Sequence, residues 1–366
     1  MATEAEILKA LATVLGPGGK PLADSGAVSG VTVSGGKAFV SISGEPGQAH
    51  IWEGIRAAAE RAVKALPGVE AAYVTLTAER APGAAPARGG HGHGHDHGHG
   101  APERKKIPAI EKIRFIVPVA SGKGGVGKST TAANLAVALA AQNWRVGLLD
   151  ADIYGPSVPR LFGLDDKPKV ENNKLVPLEA FGVKIMSMGF LVDQNVPMVW
   201  RGPMVAQALT QLLGEVAWGD LDALVVDMPP GTGDVQLTMA QQTPIAGAVI
   251  VSTPQDLALI DARRAVAMFQ KVDAPVLGLV ENMSYFLCPH CGGRSDIFAH
   301  GGARHDAEAM GVPFLGEIPL EMAIREHSDA GRPIVAVDPQ GPHAAAYIGI
   351  AAKVQALLER DEKKKG

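Results

Sequence analysis

The chain has 366 residues, 46% of them hydrophobic and 20% charged, with a net charge of −4 at pH 7. That length suits a large domain plus a small one, and the composition supports a substantial core. No long basic block is present, which argues against nucleic acid or an anionic membrane surface as the main partner. The opening Met-Ala-Thr-Glu-Ala-Glu lacks the positive segment of a signal peptide, and no apolar run approaches a membrane span. Two cysteines in the whole chain argue against a secreted disulfide scaffold, and together these features predict a cytoplasmic protein.

Residues 1–80 read as a small α/β domain. Glu4–Val14 carries Ile7, Leu8, Leu11 and Leu15 at helical spacing. Val28–Val33 and Ala38–Ser43 read as a hairpin about Gly35-Gly36, Ile51–Leu66 as a second amphipathic helix, and Ala71–Thr77 as a third strand. Residues 81–108 are a Gly/Pro/His-rich linker with no means of building a core. Its histidines, His91, His93, His95, His97 and His99, can hold Ni, Zn or Cu loosely, or can be a tolerated spacer.

From 109 to 366 strands alternate with helices, the pattern of a mostly parallel, doubly wound α/β sheet. The first strand, Ile113–Val119, runs into Gly122-Lys-Gly-Gly-Val-Gly-Lys128-Ser129, and Thr131–Ala141 beyond it is Ala/Leu-rich and helix-forming. Strand, glycine loop and helix are the context that turns G-x-x-x-x-G-K-[ST] into a phosphate site. Gly122, Gly124, Gly125 and Gly127 let successive N–H groups, with those of Val126 and Thr130, converge on one centre at the positive end of a helix. Lys128 supplies a charge to the β- and γ-phosphates of ATP, and Ser129 a hydroxyl to Mg²⁺.

Two further strands end in carboxylates. Arg145–Asp150 runs into Asp150-Ala-Asp152, and Leu221–Asp227 into Met-Pro-Pro-Gly-Thr-Gly. One carboxylate of the first pair can meet Mg²⁺ and the other can orient an attacking water, while Asp227 is placed as a Walker B-like carboxylate. Ala246–Thr253 and Val276–Glu281 are two more strands, the second running into Asn282-Met-Ser. Ligands gather at the carboxyl ends of such strands.

Beyond them stand the only cysteines, Cys288 and Cys291, spaced C-x-x-C so that both thiolates can grip one metal centre. A [4Fe–4S] cluster needs four thiolates, which two chains about a twofold axis supply. A tetrahedral zinc closed within one chain by His300 and His305 is the competing metal reading, and a redox dithiol a third. His290 reads as a solvent-facing spacer. Ala344–Leu358 is a last helix, and its Tyr347, Ile348, Ile350, Val354, Leu357 and Leu358 read as a face packed on the sheet.

The loop G-K-G-G-V-G-K-S resembles the deviant Walker A loop of the MinD, ParA and nitrogenase-iron-protein superfamily. The resemblance implies ATP hydrolysis by a homodimer, with Lys123 reaching the partner's nucleotide. It implies Asp150 in switch I towards Mg²⁺, Asp152 towards the attacking water, switch II after Asp227, and Asn282 reading adenine. With N-M-S-Y-F-x-C-P-x-C added, residues 110–360 resemble the Mrp/ApbC family of iron–sulfur cluster carriers. That family implies a [4Fe–4S] cluster bridged between two subunits, with apo iron–sulfur proteins and cluster-assembly factors as partners. Residues 1–80 resemble the small iron–sulfur assembly domain that often precedes it, but residues 44–49 have no cysteine where that domain usually carries one. A MinD- or ParA-like positioning ATPase is the competing enzyme, and a zinc-stabilised nucleotide sensor the competing binding module.

Overall fold

The computed structural model describes residues 3–16, 19–34, 37–44, 49–69, 71–78, 110–191 and 202–363. The Gly35-Gly36 turn and the histidine-bearing linker expected at 81–108 lie outside the described residues. The chain divides into two compact units, Met1–Pro102 and Glu103–Gly366.

In the first unit, helix α1 (Glu4–Leu11) opens with a capping box. The Glu6 N–H donates to Thr3 Oγ1 at 3.4 Å, and the Thr3 N–H donates back to Glu6 Oε2 at 2.7 Å. Strands β1 (Val28–Ser34) and β2 (Lys37–Gly44) pair antiparallel; helix α2 (Ala49–Lys64) then returns the chain to β3 (Ala71–Ala78), parallel to β2. Ile7 and Leu11 bury against Ile42, Trp52, Ala59 and Val74. Leu8 and Leu15, expected on the same apolar face, are 40% and 63% exposed. The helix stops at Leu11, so Leu15 never reaches that face.

The second unit is built on an eight-stranded sheet. Its strands in chain order are β4 (Ile113–Ala120), β5 (Val146–Asp150), β8 (Leu178–Ala180), β9 (Val183–Ser187), β10 (Leu221–Asp227), β11 (Ala248–Ser252), β12 (Val276–Asn282) and β15 (Phe314–Ile318). A small hairpin of β6 (Val170–Glu171) and β7 (Lys174–Leu175) precedes β8. The hairpin of β13 (Phe286–Leu287) and β14 (Arg294–Ser295) follows β12. Across the sheet the order is β15-β12-β11-β4-β10-β5-β9-β8, parallel throughout except for the β8–β9 pair. The central strands are apolar on both faces, as buried parallel strands must be.

Helices α3 (Lys128–Ala141), α10 (Ile334–Val337) and α11 (Pro342–Lys363) pack together. A second succession is α5 (Gly202–Glu215), α6 (Asp234–Gln242), α7 (Asp256–Lys271) and α8 (Gly302–Met310), each packed on the next. Two short helices, α4 (Val158–Phe162) and α9 (Met322–Asp329), pack on one another. Of the six apolar residues expected on the packed face of α11, Tyr347, Ile350, Val354 and Leu358 are buried, and Ile348 and Leu357 are half-buried at its edge.

Topology places the site. After β4 the chain works to one side through β5, β9 and β10, then crosses to the other side for β11, β12 and β15. The direction of winding therefore reverses at β4, and a crevice opens at the carboxyl end of that strand. The register sets Asp227 beside Val119 on one flank and beside Asp150 on the other. Among the described residues no helix is long and apolar enough to cross a membrane.

Candidate functional site

The loop leaving β4 needs its glycines for two physical reasons. Gly127, the N-cap of α3, has φ +81°, and a Cβ there would stand 2.1 Å from Asn282 Nδ2. A Cβ on Gly122 would lie 2.1 Å from the backbone oxygen of Asp261 in α7, so the loop is pressed against a helix that cannot retreat. The loop encloses a cavity of about 230 Å³. Lys123, Gly124, Gly125, Gly127, Lys128, Ser129, Thr130 and Asp152 line it, joined by Ser121 and Pro230, which the motif did not single out.

Lys128 is 7% exposed and its Nζ is in contact with Asp227 Oδ1, itself wholly buried. The same ammonium donates to Ser129 Oγ at 3.2 Å. Asp227 Oδ2 is buried with no hydrogen-bond partner. A buried carboxylate oxygen left bare costs free energy unless something arrives to satisfy it.

Asp150 and Asp152, two apart in sequence and hydrogen-bonded to one another, sit in different surroundings. Asp150 is the last residue of β5 and fully buried. Its Oδ1 accepts from the Asp152 N–H at 3.1 Å, and its Oδ2 from the Val158 N–H at 3.1 Å and Ser187 Oγ at 3.0 Å. Burial, and then the neighbouring Asp227 charge, push its carboxyl up to about 8. Asp152 lies past the strand end, half-buried on the cavity wall, its Oδ1 accepting from the Gly155 N–H at 3.3 Å. Burial raises its pKa too, against the pull of Lys128. Extended-strand alternation does not hold beyond Asp150 because the strand ends there. Asn282, at the end of β12, stands behind the loop: its Nδ2 donates to the Val126 carbonyl at 2.8 Å.

The two cysteines occupy the turn between β13 and β14. The Cys288 N–H donates to the Gly293 carbonyl at 2.9 Å, and the Gly292 N–H to the Cys288 carbonyl at 2.8 Å, with Gly292 at φ +68° closing the turn. Backbone hydrogen bonds from His290 and Cys291, and the Cys291 side chain, hold the Cys288 thiol below its ordinary pKa. Cys291 and His290 are exposed. A turn that aims N–H groups at sulfur favours thiolate, the form that binds metal.

His300 and His305 do not complete a zinc site with these thiols. Among the described residues no three His, Cys, Asp or Glu side chains converge into a metal-binding group. His300 Nδ1 is turned to Ser284 Oγ at 3.1 Å and Arg294 Nη2 at 2.9 Å. The reason is Glu281, wholly buried at the end of β12, which takes the Ser284 hydroxyl at 2.6 Å and the N–H groups of Gly301 and Ala303 at 2.9 and 2.7 Å. That carboxylate fixes the start of α8 and draws His300 to itself. The sequence carried a signal for it, an acidic residue ending the apolar run Val-Leu-Gly-Leu-Val, but not its partners.

A glycine cradle at the winding reversal of a mostly parallel sheet, with strand-end carboxylates beside it, defines a P-loop nucleotide-binding protein. Residues 112–355 match the family model described as the NUBPL iron-transfer P-loop NTPase, and residues 4–76 match that of an iron–sulfur cluster assembly protein. The chain belongs to this family of iron-transfer P-loop NTPases. The iron–sulfur cluster carrier protein of Pseudomonas fragi is 57% identical over 249 residues, which are 67% of this chain and 87% of that protein. The mouse iron–sulfur cluster transfer protein NUBPL is 54% identical over 253 residues, 68% of this chain and 79% of that one. A nucleotide-binding protein from Archaeoglobus fulgidus, solved in complex with ADP, is 43% identical at a TM-score of 0.58, covering 66% of this chain and 94% of its own. The cell-division ATPase MinD of Pyrococcus furiosus, at 24% identity and a TM-score of 0.52 over 67% of this chain and 99% of its own, shares the fold.

Proposed function

We propose that this protein is an ATP-hydrolysing carrier that holds a [4Fe–4S] cluster between two copies of the chain and delivers it to apo iron–sulfur proteins, in concert with cluster-assembly factors. One observation carries the reading: a prepared pair of thiols with no third metal ligand beside them among the described residues, on a chain with a complete phosphate cradle. Two thiolates are half of what a [4Fe–4S] cluster takes, and a second copy brings the rest. The names of the curated relatives support the cargo, and the ADP complex of the Archaeoglobus protein supports the nucleotide.

The cradle's own residues imply the order of events. Lys128 is spent on Asp227, so phosphate binding must draw the ammonium across to the β- and γ-oxygens. That leaves the Asp227 carboxylate unpaired and releases Ser129 Oγ. The bare Oδ2 of Asp227 and the Ser129 hydroxyl fit Mg²⁺, which would neutralise charge on the phosphate oxygens. On this reading Asp152, which lines the cavity, orients the attacking water. Lys123, also on that wall, is the residue to complete a partner's site. Asn282 keeps its Nδ2 on Val126, leaving its amide oxygen to accept from an adenine amino group. A cytoplasmic setting, read from the chain's two thiols, belongs to the same proposal.

Anaerobic reconstitution followed by iron and sulfide analysis tests the cargo. Wild type takes up about four irons per two chains, and Cys288→Ala none; equal loading of the two ends the proposal. A positioning ATPase would instead lose nothing with both cysteines replaced.

A further inference from the structure

Inside one subunit, the hairpin that carries the cysteines is tied to the phosphate loop. Arg294 of β14 lies opposite Leu287, the residue before Cys288. Its guanidinium sits 4.2 Å over the Tyr285 ring, donates to Asp296 Oδ1 at 3.0 Å, and points an N–H at His300 Nδ1, 2.9 Å away. The same Nδ1 lies 3.1 Å from Ser284 Oγ, whose proton goes to the buried Glu281.

These two neighbours ask opposite things of one nitrogen. A guanidinium has no lone pair, so Arg294 requires a bare Nδ1. The Ser284 oxygen, its proton committed to Glu281, can only accept, so it requires Nδ1–H. Nδ1 satisfies one or the other. His300 therefore has two hydrogen-bonded states, exchanging its proton between Nε2 and Nδ1 without change of charge, and only one of them holds Arg294.

Upstream, Ser284 is two residues from Asn282, which is bonded to the phosphate loop at the Val126 carbonyl. Between them Met283 has φ +54°, a left-handed conformation that a methionine rarely adopts. Strain of this kind persists only where surrounding contacts impose it, and it marks a point at which the backbone can relax. Val126, Asn282, Met283 and Ser284 thus form one unbroken path of bonds from the phosphate loop to His300.

We propose that His300 is a positioning residue that relays the state of the phosphate loop to the cysteine hairpin of the same subunit. Without nucleotide it latches Arg294 and holds the hairpin. Nucleotide, acting through Val126, Asn282 and Ser284, turns Nδ1 to the serine and frees Arg294, loosening the turn that carries Cys288 and Cys291. The inference rests on the reading of the loop as a nucleotide cradle and of the thiols as cargo ligands, but it needs no second subunit.

The test uses the full chain, metal-free and reduced, so that it does not depend on cargo. The chain has only two cysteines, so the rate of alkylation by iodoacetamide reports the hairpin alone. In wild type, Mg-ATP slows alkylation about fivefold or more, because the loosened turn no longer holds N–H groups on the Cys288 sulfur. His300→Ala and Arg294→Ala alkylate slowly with or without nucleotide. By reciprocity they bind nucleotide as tightly as wild type or more tightly. His300→Gln, whose amide oxygen can accept from Arg294, restores fast alkylation in the absence of nucleotide. A wild type indifferent to nucleotide that it demonstrably binds, or a His300→Ala protein that keeps the full effect, overturns the relay. A wild type that takes up no iron on reconstitution overturns the carrier reading instead, and leaves the alkylation result to decide this one.

Discussion

Lys128 of the phosphate loop and Asp227 at the end of β10 form an ion pair shut away from water, their side chains 7% and 0% exposed. Each is the other's main source of charge compensation, and each is also needed by a nucleotide. Lys128→Ala therefore does two things. It removes the phosphate contact, and it strands a buried carboxylate at a cost of about 3–5 kcal/mol. Urea denaturation should show that loss alongside abolished nucleotide binding. Adding Asp227→Asn should return much of the stability and none of the binding. A Lys128→Ala protein as stable as wild type, or one still hydrolysing ATP, would contradict the pairing and the cradle respectively.

Asp150 gives the protein a pH-dependent stability. Its carboxyl is raised from an ordinary 3.8 to about 8, burial being the main cause. Between those values the folded state binds a proton that the unfolded state has lost, so this group's contribution to stability falls as pH rises through the window. With magnesium chelated and no nucleotide, the melting temperature should drop from pH 6 to pH 9 by about 3 °C or more on this account. Asp150→Asn should flatten that slope. A wild-type slope unchanged in the variant would locate the titration elsewhere.

Gly122 is a test of packing behind the cradle rather than of phosphate contact. Gly122→Ala drives a methyl into the Asp261 backbone in α7, where no flexible side chain can give way. Loss of nucleotide affinity and a lower melting temperature should appear together. Gly124→Ala, whose added carbon would meet nothing nearer than Pro230 at 4.0 Å, should keep the stability of wild type. Thermal melts of both variants make the comparison, and equal stability would show that the loop is not pressed on α7.

His305 is a test of the metal. Because it does not converge with the thiols, His305→Ala should load as much iron as wild type, while Cys291→Ala should load none. Zinc in oxygen-protected protein that disappears with His305→Ala would restore the single-chain zinc site.

What could be read from the sequence follows from what is local. The cradle was legible because G-x-x-x-x-G-K-[ST] needs only a strand before it and a helix after it. β10 was legible to the residue, since Leu221–Asp227 is an apolar run ended by a charge. The approach of Cys288 to Cys291 was legible from their C-x-x-C spacing, but the hairpin that carries them was not. The pairing of Lys128 with Asp227 was not, because it depends on β10 lying beside β4, a matter of strand order that no local pattern encodes. That Asp150 is buried while Asp152 faces the cavity was not legible, because it depends on where β5 stops. His300, a zinc partner only in the competing reading, belongs to Glu281, a buried acid with two of its hydrogen-bond donors at the start of α8, 20 and 22 residues away. Non-local burial decided each of these.

The most direct measurement is native mass spectrometry of the reconstituted, oxygen-protected protein. The account predicts that iron travels only with a two-chain species, at about one four-iron cluster per pair, and that Cys288→Ala yields no metal-bearing pair. A single chain carrying the cluster would contradict it.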